Sequence, residues 1–94
     1  MTLHSLKTWP EHFELSRTGK KFFEIRKNDR GFEVGDYLAL KEWSPIDRKY
    51  SGRVLFYRIT CLYKGKQFGI HDEFAILGLS HRVPASRIRH LFGN

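Results

Sequence analysis

Ninety-four residues with a net charge of +7 and 40% hydrophobic content predict one small domain, residues 1–94, built on a single core. They exclude a helical membrane span, which needs about 20 successive apolar residues, and a disulfide or cysteine-rich metal framework, because Cys61 stands alone. A charge excess this large attracts polyanions and speeds their encounter. It falls in three blocks. Residues 17–30 carry Arg17, Lys20, Lys21, Arg26, Lys27 and Arg30 against Glu24 and Asp29. Residues 48–66 carry six bases and no acid, and after Glu73 come Arg82, Arg87 and Arg89. The first residues hold no secretory apolar stretch. Cys61 lies in an apolar run and is expected to be a buried free thiol, which suits a reducing, cytoplasmic setting.

Leu3–Lys7 alternates apolar and polar side chains and predicts a first strand. Thr8-Trp9-Pro10-Glu11 reads as a helix start, with Thr8 as cap, Glu11 at the capping-box position and Pro10 in the first turn. Gly19 supplies the stop, so a helix over residues 9–18 follows. Phe22–Lys27 has strand composition and Asn28-Asp29-Arg30-Gly31 is a turn. Val34-Gly35-Asp36 turns into a strand at Tyr37–Trp43 with Leu38 and Leu40 inward. Ser44–Gly52 reads as a loop. Val54–Tyr63 is the longest strand, with Leu55, Tyr57, Ile59, Cys61 and Tyr63 on one face. Phe74–Leu79 is a further strand. Pro84 opens a short helix in a basic tail, residues 83–94, whose Ile88, Leu91 and Phe92 are spaced to dock on the body. About five strands and two helices predict an α+β, mainly β chain. Short strands between turns favour a small, mostly antiparallel β-barrel, with an open α+β sheet as the alternative.

The densest chemistry lies in residues 19–36. Gly19-x-Lys21-x-x-Glu24-x-Arg26 is followed by Lys27-Asn28-Asp29-Arg30, Phe32-x-Val34-Gly35-Asp36, Leu38-x-Leu40-x-Glu42 and Tyr50-x-Gly52-Arg53, and His4-x-Leu6-Lys7 precedes it. This pattern resembles the ASCH family of the PUA-like superfamily, in a short branch found in bacteria and phages, over roughly residues 4–80. The resemblance implies a PUA-like barrel with a cleft beside the signature, and it implies binding of RNA, single-stranded nucleic acid or a modified nucleotide. Some ASCH relatives are amidohydrolases on acylated cytidine and some are ribonucleases, so hydrolysis is the alternative function. In that case Lys21 would be the activated amine, and Glu24 or Glu73 would supply proton transfer. The amidohydrolases carry Thr where this chain has Glu24, which argues against direct transfer of that activity.

Strand parity adds a condition. Phe22, Glu24 and Arg26 share one face of a regular strand, and Lys21 has the wrong parity to join them. The three charges converge only if Lys21 lies in a turn after Gly19 or at a bulge. Converged, they form a pocket in which Lys21 and Arg26 meet phosphate or base edges; otherwise Glu24 and Arg26 are an ordinary ion pair. Lys20, Lys27, Arg30 and Arg53 extend the basic surface. Asn28, which is weighed as a ligand contact, is more readily a turn former. Trp9 and Tyr50 flank turns and are the aromatics best placed to stack on bases. His71-Asp72-Glu73 alternates faces and no His pair has ligand spacing, so no metal or other cofactor is expected. The basic tail leaves room for a third reading, a protein-interaction module. The oligomeric state is left open.

Overall fold

The computed structural model describes residues 1–93. In chain order the elements are β1 (Leu3–Thr8), α1 (Pro10–Arg17), β2 (Phe23–Lys27), β3 (Tyr37–Ser44), β4 (Lys49–Lys64), β5 (Phe74–Leu79) and α2 (Ala85–Phe92), with one 3-10 turn at Gln67–Gly69. The five strands make one sheet in the order β1-β3-β4-β5-β2. β1 runs parallel to β3, and the other three ladders are antiparallel. The fold is therefore α+β and mainly β, and the sheet is open. The closed barrel expected from the strand count is not formed. After α1 the chain carries β2 across to β5 instead of returning to β1, so the two edge strands share no ladder.

The core follows from strand alternation. Leu38 and Leu40 of β3, Leu55, Tyr57 and Ile59 of β4 and Ala75, Leu77 and Leu79 of β5 pack with Leu6, Phe13 and Phe32. Phe13 fixes α1 to the sheet, and the Tyr57 hydroxyl donates to the Ser16 carbonyl at 3.1 Å from the sheet side. Burial pushes the Tyr57 phenol upward. The interior strand β3 is buried on both faces, as Tyr37 and Ala39 also lie inside. The tail explains this: α2 lies over the outer face of β1, β3 and β4, with Ile88 buried and Phe92 edge-on to Tyr37 at 5.6 Å. Docking of the tail on the body is as expected.

Three local expectations are corrected. Thr8 does not cap α1. The cap position is Trp9, which makes no side-chain cap bond, and Thr8 is instead the buried last residue of β1. The loop expected at Ser44–Gly52 shortens to four residues, because β4 begins at Lys49 and Trp43 pairs with Tyr50. Cys61 is exposed, not buried. The β4–β5 register shifts between Ile59 and Cys61, and this bulge reverses the inward parity. Leu62 packs on the core in its place and Tyr63 turns outward. Gly78 accommodates the bulge: a Cβ there would stand 2.3 Å from Cys61 Sγ.

One buried polar pair locks the chain start to β3. Asp36 Oδ2 lies 2.9 Å from His4 Nε2 and accepts from the Glu33 N–H at 3.1 Å, while Oδ1 accepts from the Thr2 N–H at 3.0 Å. Burial by itself would raise the Asp36 carboxyl, but these bonds outweigh it and hold the group below its usual value. The stability gained is present above the ordinary aspartate pKa and is lost as pH falls through the depressed folded value. Melting temperature is expected to drop on that acid limb in the native chain, and Asp36→Asn is expected to flatten the drop. Equal acid slopes for both proteins would show that Asp36 is not the linked group.

Candidate functional site

The gap between the two sheet edges is a cleft of about 590 Å³. β1 supplies Lys7 and Thr8, α1 and its cap residue supply Trp9, His12 and Leu15, and the turn and β2 supply Lys21 and Phe23 to Arg26. Trp9, His12 and Leu15 recur every third residue and so share one face of the helix.

The floor is built by a turn. Gly19 takes φ +76°, and the Leu15 carbonyl accepts from both the Lys20 N–H at 2.9 Å and the Lys21 N–H at 3.1 Å. The helix end thus holds Lys21 outside the strand, which begins at Phe23. Freed from strand parity, Lys21 swings onto the face of Glu24 and Arg26. Lys21 Nζ donates to Glu24 Oε2 at 2.6 Å, and Arg26 Nε donates to Glu24 Oε1 at 3.0 Å. Arg26 Nη2 lies 2.9 Å from the same Oε1 and donates to Thr8 Oγ1 at 3.2 Å. This last bond joins the two sheet edges through side chains where the backbone leaves them open. The Glu24 side chain is only 3% exposed, with Lys21 at 14% and Arg26 at 25%. Two cations against one carboxylate leave the floor net positive. The rim is apolar, with Trp9 49% and Phe23 44% exposed and the Lys21 ammonium 5.6 Å over the Phe23 ring.

The other residues singled out in the sequence stand elsewhere. Lys20 and Lys27 are exposed and flank the cleft residues Lys21 and Arg26 in sequence, without being among those that line it. Arg30 reaches back to the Ser5 carbonyl of β1. Arg53 is engaged structurally. It forks onto Glu42, with Nε to Oε1 at 2.9 Å and Nη2 to Oε2 at 3.0 Å, and stacks 4.8 Å over Phe13. The Arg53 guanidinium, with the Ser51 hydroxyl, holds the Glu42 carboxyl below its usual value. Tyr50 is exposed on the β3–β4 hairpin, outside the cleft lining. Asn28 donates its N–H to the Glu73 carbonyl at 2.8 Å, which extends the β2–β5 pairing by one bond, and its buried Oδ1 has no partner among the described residues. Glu73 is exposed just before β5 and is not among the residues lining the cleft. Among the described residues, no group of three or more His, Cys, Asp or Glu side chains is placed to hold a metal ion. No helix among them is long and apolar enough to cross a membrane.

The sequence reading missed Lys7, Thr8, His12, Leu15, Phe23 and Ile25 as cleft residues. The signal for Thr8 was present, since it continues the inward alternation of His4 and Leu6. The others become neighbours only because β2 lands at the far edge of the sheet.

Fold and site together define a small α+β domain whose open sheet edges enclose a cation-floored, aromatic-rimmed cleft. Residues 3–79 match the family described as a domain of unknown function, DUF3850, and the chain belongs to that family. It is also similar to a protein of Escherichia phage P2, named as an uncharacterized 12.9 kDa protein in the GpA 3' region, with 41% identity over 58 residues. That match takes in 62% of this chain and 51% of the phage protein, so the chain spans about half the length of that relative. The family match takes in every cleft residue and stops before α2.

Proposed function

We propose that this chain binds RNA or a nucleotide in the cleft between β1, α1 and β2. The observation that carries the reading is the convergence of Lys21 and Arg26 on a buried Glu24 beneath exposed aromatic walls. Cations held by a buried carboxylate are pre-positioned, so a ligand does not bear the cost of ordering them. Exposed Trp and Phe rings offer faces on which bases stack, at about 1–3 kcal/mol each. Lys20, Lys27 and the wider excess of charge supply the phosphate-directed part of the affinity. The resemblance of the signature to the ASCH family supports the same reading. We favour binding over hydrolysis because both Glu24 oxygens are occupied and Glu73, the other candidate acid, stands outside the cleft.

Fluorescence anisotropy with labelled single-stranded RNA tests the proposal. Binding is expected to weaken with salt, and Lys21→Ala or Arg26→Ala is expected to cost about tenfold or more, the scale of one lost charge-assisted bond. Tyr50→Ala, outside the cleft lining, is expected to leave affinity within about twofold, the range of a neutral surface change. Absence of binding at low salt, or equal losses at Lys21 and Tyr50, would refute it.

A further inference from the structure

The floor of the cleft presents hydrogen-bond donors and almost no acceptors. Glu24, the one carboxylate in the lining, has Oε2 taken by Lys21 and Oε1 taken by Arg26. Lys21 Nζ carries three protons and spends one on Glu24. Arg26 Nη1 has no partner among the described residues. Thr8 Oγ1 already accepts from Arg26 and donates to the Leu6 carbonyl. His12, the remaining titratable group in the lining with Lys7, is exposed on α1.

Resting on the nucleotide-binding reading above, we infer that the cleft selects keto bases, guanine and uracil, over amino bases, adenine and cytosine, and that Glu24 sets this preference as a positioning residue. The faces of a planar base bury against Trp9 and Phe23, and its edge meets the spare protons of Lys21 and Arg26. Guanine offers the adjacent acceptors O6 and N7, and uracil offers O4. The N6 amine of adenine and the N4 amine of cytosine would point N–H groups at an ammonium or guanidinium, leaving donors unpaired in a partly buried site. A phosphate at the floor is disfavoured, because a dianion would lie against the Glu24 carboxylate and between apolar walls. Phosphates fit the exposed Lys20 and Lys27 at the rim.

Titration calorimetry with the four ribonucleoside 5'-monophosphates, and with ribose 5-phosphate as a base-free probe, tests this. Oligo(U) and oligo(C) of about ten nucleotides serve as higher-affinity probes, a length that covers one small site. Guanosine and uridine monophosphates are expected to bind about tenfold or more tighter than their amino counterparts, as one unpaired donor would dictate, and oligo(U) tighter than oligo(C). Lys21→Met keeps the stem and uncovers Glu24 Oε2 as an acceptor. It is expected to narrow or invert the uridine-to-cytidine ratio, a change that mere loss of fold would not produce. Equal affinity for keto and amino bases would overturn the inference, as would ribose 5-phosphate binding as tightly as uridine monophosphate. A Lys21→Met ratio identical to that of the native chain would likewise overturn it. Failure of every probe, oligonucleotides included, at low salt would instead refute the nucleotide-binding reading on which it rests.

Discussion

Glu24→Ala is expected to lower the unfolding free energy by about 2–4 kcal/mol. Removing one partner of a buried ion pair costs about 3–5 kcal/mol, because the remaining charge loses its compensation. Here two cations are stranded, but each retains a path to water, at 14% and 25% exposure, which places the expectation at the lower side of that range. The same substitution frees the Lys21 and Arg26 side chains from the carboxylate they share, so nucleotide affinity is expected to fall together with stability. Urea denaturation monitored by circular dichroism reads the first effect, and anisotropy reads the second. A loss below about 1 kcal/mol, the scale of an exposed pair, would mean that the carboxylate does not hold the floor together.

Phe13→Ala is expected to be larger still, at about 3–5 kcal/mol for an aromatic side chain removed from a core. Phe13 is 1% exposed and touches the core through β1 and the central strands. Its ring also carries the Arg53 guanidinium at 4.8 Å, so the cavity would open beneath the Arg53–Glu42 fork. α1 would lose its apolar anchor and keep the Tyr57–Ser16 bond. Because α1 brings Trp9, His12 and Leu15 to the cleft, ligand affinity is expected to drop even under conditions where the variant stays folded. Thermal unfolding measured beside Leu15→Ala, an exposed position on the same helix, separates anchoring from helix propensity. Equal losses at the two positions would contradict the assignment.

Much of the chain was legible from local chemistry. Phe74–Leu79 has strand bounds that match its composition, Pro84 marks the start of α2, and Gly19 makes the turn that parity demanded of Lys21. These features depend on a residue's own backbone preferences or on its immediate neighbours. What the sequence concealed depends on distant pairing. The shift opposite Gly78 that turns Cys61 outward is a property of two strands together. So is the parallel pairing of β1 with β3, since alternation reveals which side chains face inward and not which strand lies alongside. Thr8 was misread because a hydroxyl before Trp-Pro satisfies the rules for a cap and for a strand end equally well, and the choice was made by Arg26. Arg53 looked like a ligand contact because nothing local announced Glu42 and Phe13 as its partners. The convergence of Lys21, Glu24 and Arg26 was foreseeable as a condition, and the resemblance implied a cleft beside it; most of the residues that wall the cleft were not legible, because they come from opposite ends of the sheet.

That separation of the walls has a consequence for biosynthesis. Among the described residues β2 finds its one ladder on β5, where Phe23 pairs with Gly78, and loops closed over such spans form slowly relative to local contacts. On the ribosome the signature residues emerge early, yet they have no strand to pair with until Leu79 has cleared the exit tunnel. A nascent chain therefore leaves the backbone groups of Phe23–Lys27 without their ladder throughout synthesis of the middle of the protein, a window in which the segment is open to chaperones and to misaligned pairing. The cleft is thus a property of the finished sheet alone, completed only when the last strand to be made has found its place.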